Sequence, residues 1–121
     1  MRIAFHAAMK PPDHPVPSGD RTMARLLVAA LRRAGHAVDL ASSLVTWSST
    51  PDAERLAALE ATADAEALRL AARWRDGERA DDRPDLWLTY HLYHKAPDLV
   101  GPQVARALSI PYVVVEASRA A

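Results

Sequence analysis

The chain has 121 residues, enough for one domain with a single core that buries roughly two thirds of the surface its unfolded form exposes. Its 15 basic residues are balanced by 15 acidic ones, which removes the positive field that sequence-independent nucleic-acid binding needs, so nucleic acid is excluded as a partner. With no cysteine there is no disulfide and no thiolate metal site, and no stretch approaches the roughly 20 apolar residues of a membrane-spanning helix.

The opening apolar run MRIAFHA, residues 1 to 7, suits a strand covered on both faces. It is broken by His6 and followed at once by Lys10, Pro11 and Pro12, too short for the apolar region of an export signal, so a cytoplasmic location is expected. From Met9 to Gly19 four prolines and a glycine forbid helix interior and central strand, and predict a stiff loop. Ser18 then caps a helix with Asp20 in its first turn; Met23, Leu27, Ala30, Leu31 and Ala34 recur along one face, and Gly35 closes it.

His36 to Ala41 alternates polar and apolar positions, as a second strand does. Residues 42 to 49, SSLVTWSS, fit a short strand or a loop equally. Thr50 with Pro51 has the form of a helix start, and Leu56, Leu59, Ala63, Ala67, Leu70 and Trp74 line one side of a helix that Gly77 ends. A third strand is expected over 85 to 91, DLWLTYH, and a short helix from Pro102 to Leu108. Ile110 to Glu116, IPYVVVE, is the most β-branched stretch and predicts a buried parallel strand. Strand and helix alternate throughout, the pattern of an α/β fold: a Rossmann-like three-layer sandwich with a mostly parallel sheet.

In such sheets ligands bind beyond the carboxyl ends of the strands, where loops diverge and helix N-termini offer unpaired amides. That selects three places. Ser18, Gly19 and Asp20 open the first helix and form a candidate phosphate site, although the plainer reading is that Gly19 eases a tight turn. His91, His94 and Lys95 follow the third strand with Tyr90 and Tyr93 interleaved, polar tips on aromatic bodies that suit carbohydrate; two histidines three apart lack a third metal ligand. Glu116 ends an apolar strand and needs solvent or a partner to stay ionised, while His6 ends the first strand in the same layer. His14 and His36 read as surface residues. Neither G-x-G-x-x-G, Walker A nor G-x-S-x-G is present, which disfavours nicotinamide, flavin, P-loop and hydrolase readings.

MRIAFHA followed by PPDHPVPSGDRTMARLLVAALRRAGHAVDLAS, and later DLWLTYHLYHKAPDLVGPQVARALSIPYVVVEAS, resemble the N-terminal, acceptor-side domain of GT-B glycosyltransferases of family 4 (group 1). The likeness is weakest from Ser43 to Arg83. It implies a retaining transfer from a nucleotide sugar, the donor being a co-substrate, to a saccharide, lipid or polysaccharide acceptor, with no metal and no other cofactor. It also implies catalytic roles for His91 and Glu116 and ligand contacts for His6, Ser18, Gly19, Asp20, His94 and Lys95. Many relatives carry a glycine pair at Ser18 and Gly19, and a histidine near Glu116.

The donor-binding C-terminal domain of that family has no counterpart in these 121 residues, so residues 1 to 121 are expected to be one acceptor-side domain, inactive in transfer without its second half. Peripheral membrane contact and a homodimer are the remaining partner expectations. The competing reading is a stand-alone flavodoxin-like binding or interaction module without catalysis.

Overall fold

The computed structural model describes residues 1–47, 52–76, 82–93 and 95–118. Among the described residues four strands and three helices alternate: β1 (Arg2–His6), α1 (Gly19–Arg33), β2 (Ala37–Ser42), α2 (Ala53–Arg75), β3 (Leu86–Tyr93), α3 (Gly101–Leu108) and β4 (Tyr112–Ser118). The strands pair in parallel in the order β2-β1-β3-β4, and an isolated antiparallel bridge joins Tyr93 to Ala96 beyond them. The fold is a Rossmann-like three-layer α/β sandwich.

Local chemistry accounts for the helix ends. Ser18 is extended and its side chain accepts from the Arg21 amide, which fixes the start of α1. At the other end the Gly35 amide reaches the Arg32 carbonyl and the His36 amide the Leu31 carbonyl, with Gly35 at φ 98, the left-handed turn that glycine adopts without a Cβ penalty. For α2 the expected start at Thr50 and Pro51 lies outside the described residues, as does Gly77. The observed cap is Asp52, whose Oδ1 accepts from the amides of Glu54 and Arg55. Residues 43 to 47 form neither strand nor helix.

Alternation along the strands splits the core in two. Ile3, Phe5, Val38, Leu88 and Tyr90 face α1, which contributes Ala24 and Val28. Ala4, Ala41 and Trp87 face α2 and α3, which supply Leu70, Trp74, Val104 and Leu108. The face of α1 is rotated from the predicted one: Leu27 and Leu31 pack against the core as expected, but Met23 is 50% exposed and Ala30 and Ala34 also face solvent. Ala24 and Val28 take the inner positions, four residues apart on one side of the helix.

β4 departs from expectation too. It pairs with β3 alone, and none of residues 112 to 117 is fully buried, so the most β-branched stretch of the chain forms a sheet edge rather than an inner strand. Topology decides this, because an edge strand has one neighbour whatever its composition.

The junction of β3, α3 and β4 is tight around Gly101, where an added Cβ would press on the Asp98 carboxylate, the Trp87 indole and the Tyr112 ring. Gly101→Ala is expected to destabilise the domain by about 2 kcal/mol, the usual scale of overpacking. Urea unfolding reads this directly, and an unchanged midpoint would show that the junction has slack.

Candidate functional site

The chain leaves β1 toward α1 on one face of the sheet and leaves β3 toward α3 on the other, so the strand order reverses between β1 and β3. A crevice opens at such a point beyond the carboxyl ends of the strands. Two polar clusters stand there, one on each face.

On the α1 face, Asp20 from the first turn of the helix meets His91 from β3, Oδ1 to Nδ1 at 3.0 Å. The imidazole lies 5.9 Å, ring centre to ring centre, from both Tyr90 and Tyr93. Tyr90, otherwise buried, lies within the field of the exposed Glu116. Burial, followed by the negative charges of Glu116 and Asp20, raises the Tyr90 pKa above the ordinary phenol range. Asp20, Tyr90, His91 and Glu116 are thereby gathered from three elements remote in sequence.

Backbone conformation marks the same spot. His91 and Glu116 have φ 60 and φ 63, in the left-handed region that costs a residue with a Cβ roughly 1–2 kcal/mol. They fall opposite one another, between the Tyr90↔Val115 and Leu92↔Ala117 register pairs. Strict alternation would send the His91 side chain to the α2 and α3 face with Thr89; the left-handed turn brings it to Asp20 on α1 instead.

The remaining expected residues are placed differently. Ser18 is half-buried and its hydroxyl serves as the helix cap. Gly19 is exposed with open space where a Cβ would stand, so no close approach of backbone demands a glycine there in this structure. Lys95 is exposed on the turn after β3, and His94 lies outside the described residues. His14 and His36 are half-buried, accepting from the Val16 amide and contacting the N-terminal amine respectively.

His6 belongs to the second cluster, on the α2 and α3 face. It is 1% exposed, with Nδ1 3.2 Å from the Ser42 carbonyl and Nε2 3.9 Å from Asp98 Oδ1. Asp98 is the centre: Oδ1 accepts from the amides of Val100 (3.0 Å) and Gly101 (2.8 Å), and Oδ2 from the hydroxyls of Thr89 (2.5 Å) and Tyr112 (2.7 Å). Trp87 Nε1 donates in turn to Thr89. Burial and the Asp98 charge push the Tyr112 phenol well above its usual range. The sequence reading missed this group. Its one local signal is an aspartate two and three residues ahead of the amides that open α3.

Among the described residues no group of three or more histidine, aspartate or glutamate side chains is arranged to hold a metal ion. A cavity of about 240 Å³ lies at the opposite, amino ends of β1 and β2, bordered by Arg2, Asp39, Trp74 and Asp82. No helix among the described residues is long and apolar enough to cross a membrane. Comparisons with protein-family models, curated proteins and solved structures found no match to this chain.

Burial lowers the His6 pKa below 6.5, against the pull of Asp98, Ser42 and Glu66. As pH falls the unfolded chain binds the proton first, so the stability held by burying neutral His6 is complete above 6.5 and is lost as pH drops toward the folded-state pKa. Chemical unfolding at a series of pH values should show a steeper acid-side loss for wild type than for His6→Gln; equal slopes would contradict it. For the backbone, Glu116→Gly should be more stable than Glu116→Ala by about 1 kcal/mol, since both lose the carboxylate and only glycine relieves the left-handed turn. Equal melting temperatures for the two variants would argue against strain at this position.

Proposed function

We propose that this chain is the acceptor-side domain of a retaining, nucleotide-sugar-dependent glycosyltransferase, with acceptor hydroxyls held at the carboxyl ends of β1 and β3. The observation that carries this reading is the convergence of Asp20, Tyr90, His91 and Glu116 at the point where strand order reverses. Carboxylates accept from sugar hydroxyls, and aromatic bodies with polar tips cover the apolar faces of a pyranose. In this reading His91 and Glu116 touch the reacting acceptor, and the amino end of α1 faces the donor diphosphate presented by a second domain. His6, buried on the far face of the sheet, shapes the end of β1 rather than touching ligand.

The strand order β2-β1-β3-β4 favours a second reading, because it reproduces the start of the flavodoxin-like order, whose ligands also bind at the β1/β3 reversal. The two are separated by titrating isotope-labelled protein with methyl α-glucoside, UDP-glucose and flavin mononucleotide. Under the glycosyltransferase reading the saccharide and the nucleotide sugar shift the resonances of Asp20, Tyr90, His91 and Glu116, and His91→Ala weakens the response. Shifts from flavin mononucleotide alone, or saccharide effects confined to other surfaces, would refute it.

A further inference from the structure

After β2 the chain does not turn straight into α2. Residues 43 to 47 first cross the carboxyl end of the sheet, and Thr46 fixes their path. Its amide donates to the Ala8 carbonyl beyond β1 at 3.0 Å, and its hydroxyl to the Pro97 carbonyl beyond β3 at 2.7 Å. β2 is an edge strand with β1 between it and β3, so a residue bonded to both exits stands over the reversal of strand order. Thr46 is 2% exposed, whereas Trp47, the next residue, is 40% exposed. The Trp47 carbonyl accepts from Arg55 Nη2 at 3.3 Å, so the backbone is tied on both sides of an uncovered indole. Trp74 and Trp87 are buried, and among the described residues Trp47 is the one aromatic side chain in the set of exposed large hydrophobics.

We propose that Trp47 is a stacking platform of the strand-tip crevice and receives the flat apolar face of a ligand ring, a pyranose in the glycosyltransferase reading. The choice of sugar rests on that reading; the platform does not, since a flavin ring presents the same kind of face. An indole has two rotatable bonds, so on an anchored backbone it offers a large contact area with little conformational entropy left to lose. Leu44, in the same loop, packs with the α2 and α3 core, so the loop reaches the crevice from the side opposite Asp20 and His91. A ring held there meets an apolar surface on one side and hydrogen-bonding groups on the other.

The test follows the indole N–H resonance of Trp47, assigned by its loss in Trp47→Phe, while labelled protein is titrated with methyl α-glucoside and, separately, with flavin mononucleotide. Methyl α-glucoside is expected to shift it together with the resonances of Asp20 and His91. Trp47→Ala should weaken saccharide binding about tenfold, the scale of one aromatic stacking contact, and Trp47→Phe should recover part of the loss. Both variants should melt with wild type, because the ring is exposed. Saccharide shifts at Asp20 and His91 with Trp47 unmoved, and an Ala variant that binds as wild type, would overturn the platform and leave the glycosyltransferase reading standing. A Trp47 shift from flavin mononucleotide alone, with binding weakened in the Ala variant, would uphold the platform and count against that reading. No shift of Trp47 with either ligand would overturn the proposal.

Discussion

A single buried carboxylate holds the sheet to its second helical layer. Asp98 receives four hydrogen bonds, two from the amides that begin α3 and two from hydroxyls on β3 and β4, and its side chain is 1% exposed. A carboxyl group removed from water to that degree is tolerated only when its oxygens are met by donors, and amides and hydroxyls meet them here. The amino end of α3 adds a favourable dipole. Trp87, Thr89 and Tyr112 are therefore oriented by one neighbour, and Gly101 is confined to hydrogen by the same crowding.

This anchoring gives the opposite face its freedom. With β3 and β4 tied from behind, their carboxyl ends can carry two left-handed residues side by side without the sheet unravelling. Such conformations persist where the surroundings over-determine them. His91 meets Asp20 and Glu116 lies beside Tyr90, so both left-handed residues have a polar neighbour at the β1/β3 reversal. Rigid placement of hydrogen-bonding groups is what selective binding of a small polar ligand requires.

Much of this was legible in the residues. The apolar run at Met1 to Ala7, the proline-rich loop, the Ser18 cap and Gly35 led to β1, the loop and α1 within a residue or two. Parallel topology makes loops diverge at the strand tips, and it is there that Asp20, Tyr90, His91 and Glu116 come together. What stayed hidden depends on contacts made at a distance. Apolar spacing pointed Met23 inward, whereas its neighbour Ala24 lies inside, because the orientation of a helix about its axis is set by the sheet it packs on. β-branched content suggested an inner strand at β4, although position in the sheet is set by connectivity. His6 and His91 looked equivalent as strand-end histidines; the left-handed turn at His91 sends them to opposite faces, and no pattern of residue types announces such a turn. Asp98 was overlooked because its partners are assembled from two strands and a helix start.

The strand order has one consequence for how the molecule is made. β1 precedes the other described strands yet is interior in the sheet, and its second edge is closed by β3 and the neighbouring Asp85, 83 positions after Arg2. During synthesis the β1-α1-β2 unit can assemble from local contacts, while the other edge of β1 waits for β3 to emerge and for a long loop to close. Throughout that interval a nascent chain displays an open strand edge beside an uncovered apolar surface, the combination that recruits foreign strands. The placement that reverses the strand order between β1 and β3 therefore also favours rapid early folding or chaperone shelter.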